Sequence, residues 1–354
     1  MDQDETISDQ ANRILIRRIV EKTFKSLVEE VDLEAPSWSS RYADRPSVRA
    51  CLPPKLLVSQ MLQEYQRINA ARLATKSPQQ LWKWRVARQT SVEIFIKAIG
   101  GDCPLDLLDL KYTHRFHSYW QQRVLDGDFR IHSANRLMRN ISGLYSSIHA
   151  FYQLDRKNPF LGLHVRGGRE GQRLPYASEF IQQRLLADGT FDCLNAEARR
   201  IIFLMIETGL RPSEACALNA TTIHLNSPIP YVRVTDDGRE TKTPGSLRSI
   251  PLVGVALLAM RQQPDGFPRY RNRADTASAT INKVLKEKDL KPGGRLQTLY
   301  SLRHSLVDRL RAAEAPKDIQ EDILGHVHLY GEGTTLEHRQ AWLRRIAFAA
   351  PAQV

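Results

Sequence analysis

Apolar side chains recur at intervals of three and four through most of this 354-residue chain, and the period changes in one place, between Pro230 and Leu252. The helical period predicts amphipathic helices. Pro230–Thr235 and Leu247–Leu252 instead alternate or are rich in β-branched residues, and Asp237-Gly238 and Pro244-Gly245 supply turns between them. The pattern predicts a mainly α, multi-domain chain. One unit is all-α; the other is α+β, with a small three-stranded antiparallel sheet.

Helical patterns are expected over 11–33, from Leu56 through Tyr65, from Ser77-Pro78 to the Gly100-Gly101 pair, around His114–Val124 and over Asn135–Leu154. Asn158-Pro159 closes that unit. Arg166–Arg173 (RGGREGQR) is glycine-rich, charged and without large apolar residues, which reads as a flexible basic linker. Helices are expected again near 177–187 and over 196–208. The expected organisation is an N-terminal extension (1–54), a helical domain (55–165), a linker (166–175) and a second domain (176–350).

The formal net charge is +12, and the excess lies beyond the first fifty residues, where Glu29, Glu30, Asp32 and Glu34 offset the bases. Such a balance points to a polyanionic partner, nucleic acid first and an anionic membrane surface second. A basic but unspecialised enzyme would share it. The apolar run Ile201–Ile206 is too short to span a bilayer. Cys51, Cys103, Cys193 and Cys216 form no CxxC or disulfide framework, so the expectation is a reduced, cytoplasmic protein with thiols as small core residues.

Three basic stretches carry candidate chemistry. In Thr208-Gly-Leu-Arg-Pro-Ser-Glu-Ala215, Gly209 ends one helix and Pro212 opens the next, so Arg211 sits at a fixed elbow. A cation there opposes the helix dipole, an objection that a bound phosphate would remove. In Thr298–Leu310, Leu302, Leu306 and Leu310 form a buried stripe while Tyr300, Arg303 and His304 share a neighbouring face. Lys242, beside the Pro244-Gly245 turn, places an ammonium near a hairpin tip. Taken singly, each is as easily a solvated surface group.

The ordered set TGLRPSE, TKT before a strand ending IPL, YSLRH, and LGH followed by a tyrosine resembles the tyrosine recombinase (phage integrase) family. The resemblance implies a core-binding domain over 55–165 and a catalytic domain over 176–350. It makes Arg211 and Arg303 the catalytic arginines, Lys242 the hairpin lysine, His326 the histidine of LGH and Tyr330 the nucleophile. Tyr300 stands where the family's second box usually begins with histidine; integrases with YSLRH in this box resemble this chain, and a phenol can still hydrogen-bond a phosphate. The implied partners are double-stranded DNA and further copies of the chain in a synaptic tetramer, with no membrane, metal or cofactor.

Within Ile323–Gly333 (ILGHVHLYGEG), a His326-x-His328 metal site lacks a clear third ligand. His326, closing the Pro316–Leu324 helix, is expected to be partly cationic, and His328 is assigned to the loop. Only three residues separate His326 from Tyr330, a shorter step than the family's usual one. The apolar tail of Leu336, Trp342, Leu343 and Ile346 suggests a helix that docks, on a neighbouring protomer in a synaptic assembly. Two rival readings are a non-catalytic DNA-binding relative and a helical transcription regulator.

Overall fold

The computed structural model describes residues 56–154, 157–167, 173–236, 244–326 and 333–354. The helix expected over 11–33, most of the glycine-rich linker, Cys51, Lys242, His328 and Tyr330 lie outside those residues.

The first helices are α1 (Met61–Ile68), α2 (Ala70–Ala74), α3 (Pro78–Ile99), α4 (Leu110–Leu125) and α5 (Ile131–Phe151). The bounds of α3 follow its punctuation. The Ser77 hydroxyl accepts from the Gln80 N–H, Pro78 occupies the first turn, and Gly100 closes the helix in the left-handed region at φ 92°. Asp109 caps α4 in the same way, accepting from Lys111 and Tyr112. Their apolar faces meet around Phe95, Phe116, Trp120, Met138, Tyr145 and Phe160, all fully buried. Phe95 and Phe116 pack edge to face, with ring centroids 4.8 Å apart.

A second buried cluster runs from Tyr176 to Val354. Where one helix was expected near 177–187, a single turn (Ser178–Phe180) passes into a π-helical turn (Ile181–Leu185). Then come α6 (Ala196–Thr208), α7 (Pro212–Ala215), β1 (Ile223–His224), β2 (Tyr231–Val234), β3 (Arg248–Pro251), α8 (Gly254–Arg261), α9 (Ala274–Glu287), α10 (Ser301–Ala312), α11 (Lys317–Leu324) and α12 (Leu336–Arg345). The run Ile201–Ile206 is buried all round because α6 is the central helix, packed by α8, α9 and α10. The chain is mainly α with a three-stranded antiparallel sheet of order β1-β2-β3, in which Val232 faces Ile250 and Val234 faces Arg248.

Two expectations need correction. Cys216 is buried, but Cys193 is exposed just before α6 and Cys103 is only half-buried, so the thiols are not uniformly core residues. The C-terminal helix and tail pack on their own domain: Leu343 is fully buried, and α12 lies against β3 and α11. Beyond it, the Phe348 N–H donates to the Glu207 carboxylate at 2.8 Å and the Ala352 N–H to Asp188 at 2.7 Å. Glu207, on the buried face of α6, is paired with Arg309 at 3.0 Å, and the Arg309 guanidinium lies 4.3 Å from the Phe348 ring centroid. An unpaired carboxylate there would be costly, so the tail and Arg309 complete one another. Among the described residues no helix is long and apolar enough to cross a membrane.

Candidate active site

Arg211 is held from both sides. Gly209 ends α6 in the left-handed conformation at φ 60°, and Pro212 opens α7 with Arg211 as its N-cap. Glu214, three residues on, accepts from the Arg211 backbone N–H at 2.9 Å and pairs with its guanidinium. The Arg211 Nη1 also reaches the Ser246 hydroxyl at 3.5 Å, while its buried Nε–H has no partner among the described residues. Ser246 lies four residues beyond Lys242, so the described end of that hairpin stands beside Arg211.

Glu214 holds a second arginine. Arg248 on β3 donates to it at 2.9 Å and sends its Nε–H to the Ile323 carbonyl at 2.8 Å. Burial works against the Glu214 carboxylate, but Arg248 and then Arg211 outweigh it and hold its pKa down to about 2. Neither Glu214 nor Arg248 was singled out from sequence, although both left a signal. Glu214 stands at capping-box spacing from Arg211, and Arg248 shares the inward phase of β3 with the core residue Ile250.

Arg303 enters from α10, 5% exposed, and donates to the Gly209 carbonyl at 2.7 Å and to that of Leu324. It therefore ties the α6–α7 elbow to the end of α11. Burial and then the positive charges of Arg211 and Arg248 lower its pKa. His326 follows Gly325, which closes α11 at φ 70°, and its backbone N–H returns to the Glu321 carbonyl at 3.0 Å. The helix end alone would favour a partly cationic imidazole. Burial, then the charges of Arg303 and Arg211, lower its pKa and favour the neutral ring.

Tyr300 caps α10, half-buried, with its ring 5.5 Å from that of His304 and the Arg173 guanidinium 4.8 Å from its centroid. Arg211, Arg303 and His326 are thus within one another's electrostatic reach, with Tyr300 one turn from Arg303 on the same helix. No cluster of metal-ligating side chains occurs among the described residues. Two guanidiniums and an imidazole, with Glu214 bracing Arg211 against Arg248 and backbone carbonyls holding Arg303, form a group chemically suited to a tetrahedral oxyanion.

Residues 179–330 match the phage integrase family. This part of the chain belongs to that family. Over 137 residues, 37% of the chain, the sequence is 28% identical to tyrosine recombinase XerA of Pyrococcus furiosus, and the match spans 46% of that protein. The Tn1549 transposon integrase in complex with transposon right end DNA superposes with a TM-score of 0.54 at 18% identity, over 81% of this chain and 98% of the other. A lambda integrase tetramer bound to a Holliday junction gives 0.55 at 16% identity, over 82% and 78%. At such identities the two structures speak to the fold of the integrase domain and the helices before it.

Proposed function

We propose that the chain is a site-specific DNA recombinase that cleaves and rejoins strands through a 3′-phosphotyrosyl intermediate. The observation that carries this reading is the meeting of Arg211 and Arg303: Arg303 donates to the Gly209 carbonyl at 2.7 Å, two residues before Arg211, so two positive charges share one elbow that a scissile phosphate would reconcile. In the proposed reaction the Tyr330 oxygen attacks phosphorus while the bond to the 5′ oxygen breaks. The neutral His326 ring is able to take the phenol proton, and Lys242 to protonate the leaving oxygen. Arg211 and Arg303 hold the charge that builds on the non-bridging oxygens, and Tyr300 offers a further hydrogen bond. The scheme itself calls for neither a metal nor a nucleotide.

In the same reading, 55–165 form a core-binding domain, 166–175 a linker and 176–350 the catalytic domain, which together clamp double-stranded DNA. The relatives solved on transposon-end DNA and as a tetramer on a Holliday junction support DNA as partner and self-association on it. A phosphate-dominated clamp loses affinity steeply with salt, on the order of a thousandfold between 50 and 200 mM if about six phosphates are neutralised.

A nicked suicide duplex carrying the cognate site is expected to trap a covalent adduct with the wild type, and Tyr330→Phe to abolish it while still binding DNA. The short step from His326 to Tyr330 favours one second reading, a DNA-binding relative without strand chemistry. Absence of an adduct from wild type, with an adduct gained on lengthening that step, would establish it.

A further inference from the structure

Helices α1, α2, α3 and α5 enclose a cavity of about 270 Å³ that takes no part in the proposed strand chemistry. Three arginines from three different helices converge on it, Arg72, Arg88 and Arg139, and none of the described residues lining it is acidic. Arg88 is half-buried. Its guanidinium lies 4.3 Å from the Trp84 ring centroid and donates to the Trp84 carbonyl at 3.3 Å, which fixes the plane of the fork. Burial and the charge of Arg72 lower the Arg88 pKa, with Tyr65 acting the other way. Arg72 and Arg139 are exposed and Arg88 is half-buried, and three like charges with no carboxylate among the lining residues make a local positive field that favours an anion.

The floor of the cavity points the same way. Gly143 sits in the middle of α5, where glycine is a poor helix residue. A Cβ at that position would meet nothing within 4 Å, so helix packing does not call for glycine there. Its effect is to leave the cavity open. Beside it, the Asn69 and Asn140 amide groups are already engaged, Asn69 with the Ser147 hydroxyl at 2.9 Å and Asn140 with that of Ser91 at 3.0 Å, so the polar wall is rigid.

We propose that this pocket binds a phosphate group, gripped by Arg72, Arg88 and Arg139. Planar guanidinium forks on three sides match a tetrahedral oxyanion better than they match a single carboxylate. The phosphate comes either from a DNA backbone or from a free phosphate compound, and the two sources are separable. The DNA source rests on the recombinase reading; the pocket's affinity for phosphate does not.

Pyrophosphate titrated calorimetrically into the full chain is the probe for a free phosphate compound. Arg88→Gln, and Gly143→Leu, which fills the cavity without removing a charge, should each weaken that binding by about tenfold. Arg139→Gln, at an exposed position on the cavity mouth, gives the same reading from an undisturbed fold. In parallel, Arg139→Gln lowers the slope of log affinity against log salt for duplex DNA by about one if the phosphate is a backbone one. Loss of pyrophosphate binding with unmoved DNA binding assigns a free phosphate compound instead. Wild-type behaviour of all three pocket variants towards both pyrophosphate and DNA overturns the proposal.

Discussion

Asp322 accepts two hydrogen bonds from Thr334, at 2.5 Å from its backbone N–H and at 2.6 Å from its hydroxyl. Asp322 lies on α11, the helix that also ends at Gly325 and His326. The chain therefore leaves α11 at His326 and is fastened back to it at Thr334, and Tyr330 falls between the two fastenings. Arg339 braces the second one, donating to the Ser249 carbonyl at 2.9 Å and lying 3.4 Å from the Asp322 carboxylate.

If Tyr330 is the nucleophile as proposed, that fastening would position it through Asp322. Asp322→Ala should lower the yield of covalent adduct by about tenfold to a hundredfold, because misplacement by an ångström costs that much. DNA affinity, measured by filter binding, should stay close to wild type. An unchanged adduct yield would show that Thr334 is not needed to present Tyr330.

Gly325 has no room for a side chain. At φ 70° a Cβ would stand 2.7 Å from Nη1 of Arg248 and 2.8 Å from the Gly245 carbonyl oxygen. Gly325→Ala should therefore cost about 2 kcal/mol or more in urea unfolding, through backbone strain and displacement of a buried arginine. Stability equal to wild type would mean that Arg248 moves aside freely.

The depressed Glu214 pKa sets a pH window. A carboxylate whose pKa falls from an ordinary 4.5 to about 2 on folding contributes stability above its ordinary value, and loses it as pH drops towards 2. The gap in unfolding free energy between wild type and Glu214→Gln should be widest above about pH 5 and shrink by about 3 kcal/mol on acidification. A gap that stays constant with pH would remove the carboxylate's charge from the explanation.

His326 offers a spectroscopic test. Its pKa is lowered by burial and by Arg303 and Arg211, so in the free protein the ring should titrate below the ordinary 6.5. Its neutral form is the one the fold favours, and the stability this brings is present above the ordinary value and lost as pH falls below it. Orthovanadate or cognate DNA in the site would offset the arginine charges, and the NMR titration midpoint should rise. A midpoint that ignores the anion would place His326 outside the oxyanion's reach.

Much of this protein is written in local sequence. The bounds of α3 follow from Ser77-Pro78 and Gly100, and the elbow at Arg211 from Gly209 and Pro212, because caps and breakers act within a few residues. The three leucines of α10 announce its buried face. The two-residue strand β1 is too short to show a period, and α8 and α9 were not singled out from their patterns. Tertiary structure alone decided the rest. It made Glu214 a shared counterion for Arg211 and Arg248, elements 34 residues apart for the second pair, and it aimed Arg303 at carbonyls on two other helices. It also set the surroundings of His326. A helix end favours a cationic ring, but burial and then the charges of Arg303 and Arg211 work against it, and no local pattern encodes burial or charges brought in from other helices.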